Sequence, residues 1–178
     1  MRKIFEKQLK YSERKMFLIT IVATTILGLI NIVINYTTAE GIVNEAGSSI
    51  VWVYIGVPVS AVILELFYSV ACAIITYFTA AAMQKGFDIK IFFKLAYRIL
   101  ISLPLITLAD MAGFIVLGKK FTDYGFLGIL SYLPFYGCLL LSTYYLAPKY
   151  VELSKKQSMA MAVVLTIGMI FVSYPYKF

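Results

Sequence analysis

The chain has 178 residues, 61% hydrophobic and 14% charged, with a net charge of +7 and no histidine. A soluble domain carries about 25% charged residues, so this apolar excess needs lipid to bury it and argues for a polytopic membrane protein. The Lys and Arg residues flank apolar stretches and form no basic stripe interleaved with aromatics, which argues against nucleic-acid binding.

The N-terminal segment "MRKIFEKQLKYSERK" (1–15) is basic. Residues 4 to 15 place Ile4, Phe5 and Leu9 on one side of a helix, which suits a short helix lying on the cytoplasmic leaflet. A basic tail that only enforces topology is the alternative. The apolar stretch that follows is long enough to cross a bilayer and lacks a small-residue cleavage pattern, so it reads as a retained span and not as a signal peptide.

Five spans are expected in order: Met16–Tyr36, Pro58–Met83, Leu95–Leu117, Phe126–Ala147 and Met159–Tyr174. In the second, Pro58 is expected to open the helix, with Trp52 and Tyr54 as interfacial anchors before it. The segment "FDIKIFFKLAYR" (87–98) alternates phenylalanine with lysine and reads as interfacial. No repeat and no Pro-rich or Gly/Ser-rich linker divides the chain, so residues 16–178 form one transmembrane domain. The expected fold is all-α, a five-helix membrane bundle.

Orientation follows from Lys and Arg. Arg2, Lys3, Lys7, Lys10, Arg14, Lys15, Lys85, Lys90, Lys94, Arg98, Lys149, Lys155 and Lys156 fall on one side of a five-span bundle; Lys119, Lys120 and Lys177 fall on the other. The positive-inside rule then puts the N-terminus in the cytoplasm and the C-terminus outside. The basic side would face anionic lipid headgroups.

Each of the first four spans carries small or polar residues at helical spacing, expected to face one another and to hydrogen-bond across helix contacts. They are Thr20, Thr24, Gly28, Asn31 and Asn35; Glu65, Ser69, Cys72 and Thr76; Thr107, Asp110 and Gly113; and Gly128, Ser131, Cys138 and Ser142. Glu65 and Asp110 are set apart, because an acid near the bilayer centre costs at least ~2.5 kcal/mol. Span midpoints put Glu65, Asp110 and Asn31 at similar depth in the outer half, with Asn35 about one turn further out. Such a cluster would be helix glue through a protonated Glu65, a site for a proton, cation or cationic substrate, or a contact for an external partner. Arg98 is expected to snorkel to the cytoplasmic face.

Catalytic chemistry is not expected. Without histidine there is no Ser–His or Cys–His arrangement and no His-based metal site. Cys72 and Cys138 lie in apolar runs and read as small hydrophobes, without disulfide or metal spacing. "GFLG" lies at a span boundary and not between a strand and a helix, so it is no phosphate loop. No cofactor is implied.

The stretch "FKLAYRILISLPLITLADMAG" (93–113), with a proline a few residues into a span, resembles the third span of the Yip family of five-span membrane proteins. The stretch "LLLSTYYLAPKYVELSKKQSMAMAVVL" resembles that family's fourth span, short cytoplasmic loop and fifth span. The resemblance implies a non-enzymatic adaptor or accessory to membrane transport, export, toxin resistance or trafficking, self-associating or bound to another membrane protein. The composition suits the cytoplasmic membrane of a bacterium. The competing expectation is a small proton- or cation-coupled transporter using Glu65 and Asp110, with Asn31 and Asn35 beside them.

Overall fold

The computed structural model describes residues 11–34, 50–83, 85, 88–117 and 130–173. The regular elements among them are all helical: α1 (Glu13–Ile34), α2 (Ile50–Ala82), α3 (Ile89–Ile99), α4 (Pro104–Leu117), α5 (Leu133–Tyr150) and α6 (Lys155–Ser173), with 3-10 turns at Leu100–Ser102 and Leu130–Tyr132. Four stretches are long and apolar enough to cross a membrane: Glu13–Val33, Tyr54–Ala82, Ile89–Gly113 and Lys155–Ser173.

The helix boundaries follow from local chemistry. Ser12 accepts from the Lys15 amide at the start of α1, and Asp88 caps α3 by accepting from the Lys90 amide at 3.0 Å. Ser154 and Gln157 form a reciprocal capping box that opens α6: the Ser154 amide donates to Gln157 Oε1 at 3.0 Å and the Gln157 amide to Ser154 Oγ at 3.3 Å. Pro104 has no N–H to give to the Leu100 carbonyl, which accepts from the Leu103 amide at 2.8 Å instead. That tighter bond makes the 3-10 turn between α3 and α4, so the expected third span is one membrane-capable stretch made of two helices.

Pro58 does not open its helix. α2 starts at Ile50 and runs through the proline, although Pro58 cannot donate to the Tyr54 carbonyl. Ser60 Oγ donates to the Val57 carbonyl at 2.8 Å beside this gap in the ladder.

Side-chain contacts fix the helix directions. A Cβ on Gly28 would meet Val57 Cγ1, and Tyr77 packs edge-on against Phe92, so α2 is antiparallel to α1 and to α3. Arg98 lies against Tyr150 while Asp110 meets Tyr132, which makes α5 antiparallel to the α3–α4 pair. Gly168 abuts Ile75 and Ser173 meets Tyr68, which runs α6 back along α2. The core lies where these helices meet, around Tyr68, Cys72, Phe92, Leu95, Phe135, Leu139, Met161 and Leu165.

The segment read as interfacial is described from Asp88 on. α3 is strongly amphipathic, and Phe92, Leu95, Ala96 and Ile99 are fully buried in the protein, with only the opposite face, Ile89, Lys90 and Lys94, exposed. Of the N-terminal segment expected to lie on the leaflet, residues 1–10 are outside the described residues, as are Asn35, Gly128 and "GFLG".

Candidate functional site

The antiparallel register of α1 and α2 follows from Gly28 against Val57. Counting along both helices from that contact sets Thr24 level with Ala61, Thr20 with Glu65 and Met16 with Ser69. All six side chains are buried. Val57, Ala61, Glu65 and Ser69 repeat every fourth residue, so they form one stripe of α2, the stripe that faces α1.

Glu65 is completely buried in this seam, and neither carboxyl oxygen has a hydrogen-bond partner among the described residues. Thr24 Oγ1 and Ser69 Oγ are likewise buried without a partner. Thr20 Oγ1 donates to the Met16 carbonyl at 3.0 Å, which leaves its lone pairs turned outward from that bond. The seam therefore holds one unpaired buried carboxyl group level with Thr20, with an unpaired buried hydroxyl about one turn away on either side, against the general rule that buried polar atoms are paired.

The other candidate residues are placed differently. Asp110 is half-buried on α4 and accepts from the Tyr132 hydroxyl at 2.7 Å. Tyr132 sits one turn before Phe135, whose ring packs on Tyr68, so Asp110 and Glu65 do share a level in the bundle. Tyr68, one turn from Glu65, lies within electrostatic range of Asp110. No hydrogen bond joins the two acids among the described residues.

Asn31 departs from its expected depth. The register sets it level with Tyr54, about 16 Å along the helix from the Glu65 level. The earlier start of α2 moves its centre about 7 Å toward Glu65, which accounts for part of this difference; the register of α1 on α2 sets the rest.

Several stripe hydroxyls bond within their own helix. Thr20, Thr76, Thr79, Ser142, Thr143 and Thr166 all donate to carbonyls of their own helices. Bonds that do cross between elements among the described residues include Tyr68 to Ser173 at 3.1 Å, Tyr132 to Asp110, and Arg98 to the N-terminal end of α1. Cys138, expected on a packing stripe, is exposed on the outer face of α5, whereas Cys72 is fully buried.

Arg98 corrects the snorkelling expectation. Its guanidinium is 5% exposed; Nη2 donates to the Tyr11 carbonyl at 2.8 Å and to Glu13 at 3.1 Å, and the group stacks over Tyr150. The partner acid comes from before the first apolar run, more than 80 residues away in sequence, where no local spacing signals it. Beside this pair a cleft of about 440 Å³ opens between α1 and α3, lined by Glu13, Arg14, Phe17, Leu18 and Tyr97.

Among the described residues no cluster of three or more Cys, Asp or Glu side chains could hold a metal ion. Comparison of the chain with protein-family models, curated proteins and solved structures finds no match.

Proposed function

We propose that the chain is a five-span protein of a cytoplasmic membrane, N-terminus inside and C-terminus outside, acting as a small proton- or cation-coupled transporter with Glu65 as its coupling group. The fifth crossing is α5, whose 18 residues reach about 27 Å, close to the hydrocarbon thickness. The alternating helix directions and the concentration of Lys and Arg at the Glu13 end of α1 support this topology.

One observation carries the coupling reading: Glu65 is fully buried and unpartnered in a seam between two apolar helices. Helix glue needs a partner for the carboxyl group, and the asparagine expected to supply one stands about 16 Å away. An intramembrane acid held at such a cost without a structural partner is the mark of a group that exchanges a ligand.

Flux in proteoliposomes tests the reading. Vesicles with an acidic interior and a trapped pH dye receive sodium, lithium or potassium outside. Wild-type protein should exchange the cation for internal protons, and Glu65→Gln should abolish the signal while keeping its expression and chromatographic profile. Equal flux from both proteins rejects the coupling role.

A second reading, the membrane adaptor that the Yip-like segments imply, is favoured by α1. Only 17% of its apolar window is buried within the chain, and Leu18, Val22, Ile26 and Val33 face outward. Another membrane protein co-purifying in mild detergent, with no cation flux, would support the adaptor over the transporter.

A further inference from the structure

We propose that the cleft between α1 and α3 is a binding site for one anionic phospholipid, with Arg14 and Lys94 at its phosphate and an acyl chain laid along Leu18, Val22 and Ile26. The site stands apart from the Glu65 seam and depends on neither functional reading above.

The cleft holds about 440 Å³, within the roughly 300–1,000 Å³ usual for small-molecule sites. Its lining changes character along α1, from Glu13 and Arg14 to Phe17 and Leu18, with Tyr97 contributed by α3. Phe17 and Tyr97 meet edge-on at 5.2 Å between ring centres, so an aromatic pair marks the change from charged to apolar. Aromatic rings concentrate at headgroup level for the same reason, having an apolar body and tolerance for a wet edge. A cleft charged at one end and apolar at the other suits an amphiphile.

The strip that leaves the cleft fixes the depth of the occupant. Arg14, Leu18, Val22 and Ile26 recur every fourth residue and share one side of α1, and all four are exposed. From Arg14 to Ile26 the helix rises about 18 Å, a little more than half of the ~30 Å hydrocarbon core. An acyl chain whose headgroup sits at Arg14 therefore has apolar side chains beside it through the depth of one leaflet. A soluble phosphate compound would leave this strip unused, and a neighbouring helix on the strip does not call for the cations at its head.

Charge selects the headgroup. Glu13 is the acid of the cleft, and Arg98 Nη2 holds it at 3.1 Å. Arg14 lines the same cleft, and Lys94 stands one turn before Tyr97 on α3 and within electrostatic range of Glu13. Both Arg14 and Lys94 are exposed, whereas Arg98 is buried on its partners. Three cations around one acid leave the head of the cleft positive. A phosphatidylglycerol-type headgroup brings a net negative charge to that place, and the planar fork of an arginine matches its phosphate oxygens. Phosphatidylcholine brings a cation of its own and gains little there.

The test titrates purified full-length protein in a neutral detergent with dioleoylphosphatidylglycerol or dioleoylphosphatidylcholine and counts bound lipid by native mass spectrometry. One phosphatidylglycerol should bind saturably, about tenfold or more tightly than phosphatidylcholine. Arg14→Gln with Lys94→Gln should weaken it by about thirtyfold, from the usual contribution of each basic side chain near an anionic lipid. Lys155→Gln with Lys156→Gln removes the same charge from the exposed start of α6 and should leave the affinity nearly unchanged. Wild-type protein is also irradiated with a phosphatidylglycerol carrying a diazirine on its acyl chain, a readout that needs no variant to fold. Adducts mapped by peptide mass spectrometry should concentrate on α1 between Phe17 and Ile26. Equal affinity for the two lipids, equal loss in the two double variants, or adducts as dense on the outer faces of α2 and α6 would each overturn the site. So would displacement of the lipid by sn-glycerol 3-phosphate, which assigns the cleft to a soluble phosphate compound. A lipid-free dimer that phosphatidylglycerol does not dissociate would overturn it as well, in favour of a second copy of the chain.

Discussion

Arg98 and Glu13, 85 residues apart in sequence, form an ion pair of 3.1 Å that fastens the start of α1 to the end of α3. The same guanidinium nitrogen holds the Tyr11 carbonyl, and Tyr150 at the end of α5 covers the group. Three helices are thus tied at one end of the bundle through a single side chain. Glu13 remains about one-third exposed, so solvent screens the pair, and the buried bond to the Tyr11 carbonyl contributes alongside it.

Arg98→Ala should therefore destabilise the protein by about 2–4 kcal/mol, because it removes the cation, the carbonyl donor and the packing on Tyr150 together. Glu13→Gln should cost about 1 kcal/mol or less, since the amide still accepts a hydrogen bond. Thermal unfolding in one detergent measures both. Equal losses for the two variants would show that the ion pair, and not the bond to the chain near Tyr11, fastens this end.

The two tight glycines should respond differently to added bulk. A Cβ at Gly28 would lie 2.7 Å from Val57 Cγ1, a short branched side chain with little room to turn. At Gly168 the atom met at 2.8 Å is Ile75 Cδ1, the far end of a longer and more adaptable chain. Gly28→Ala should cost about 1–3 kcal/mol and be rescued by Val57→Ala, whereas Gly168→Ala should be close to neutral. Unfolding midpoints of the three variants decide this, and the absence of rescue would place the Gly28 effect elsewhere.

Much of this architecture was legible in the sequence, for identifiable reasons. Apolar run length located four of the five expected spans as membrane-capable stretches, Phe126–Ala147 not being among them, since covering the hydrocarbon core demands a minimum number of residues whatever packs around them. Proline positions were read less well. Pro104 splits its span because the Leu100 carbonyl turns to Leu103, yet Pro58 sits inside a continuous helix. A missing N–H says that one bond is lost; tertiary packing decides what the helix does about it. The candidate site was half visible. Glu65 stood out because a charge in an apolar run is expensive wherever it lies, while Thr24 and Ser69 looked like the many hydroxyls that bond their own helix. Only the register of α1 on α2, set where Gly28 meets Val57, brings them to the seam that buries Glu65.

Topology is testable with engineered cysteines. Ser12 and Ser154 lie at the same end of the bundle, at the start of α1 and before α6, and both are exposed. In intact cells of a Cys72→Ala, Cys138→Ala background, an impermeant maleimide should miss Ser12→Cys and Ser154→Cys and label both after permeabilisation. Lys177→Cys should label without permeabilisation. A protected position 177 would remove the five-span arrangement with the C-terminus outside, because it would demand an even number of crossings.

The two intramembrane acids should separate under mutation, although sequence position alone groups them. Asp110 accepts from the Tyr132 hydroxyl at 2.7 Å, so its structural task is visible: it ties α4 to the turn that leads into α5. Asp110→Asn keeps an acceptor at that place, and Tyr132→Phe removes the donor. The first should be nearly neutral for stability, and the second should cost about 1–2 kcal/mol. Glu65 has the opposite character. It gives no hydrogen bond to the fold, so Glu65→Gln should leave stability equal to wild type or raise it, because a buried amide is cheaper than a buried charge. What Glu65→Gln should lose is the coupled flux of protons and alkali cations. Asp110→Asn should keep it. If Asp110→Asn abolishes flux while folding normally, both acids belong to one relay.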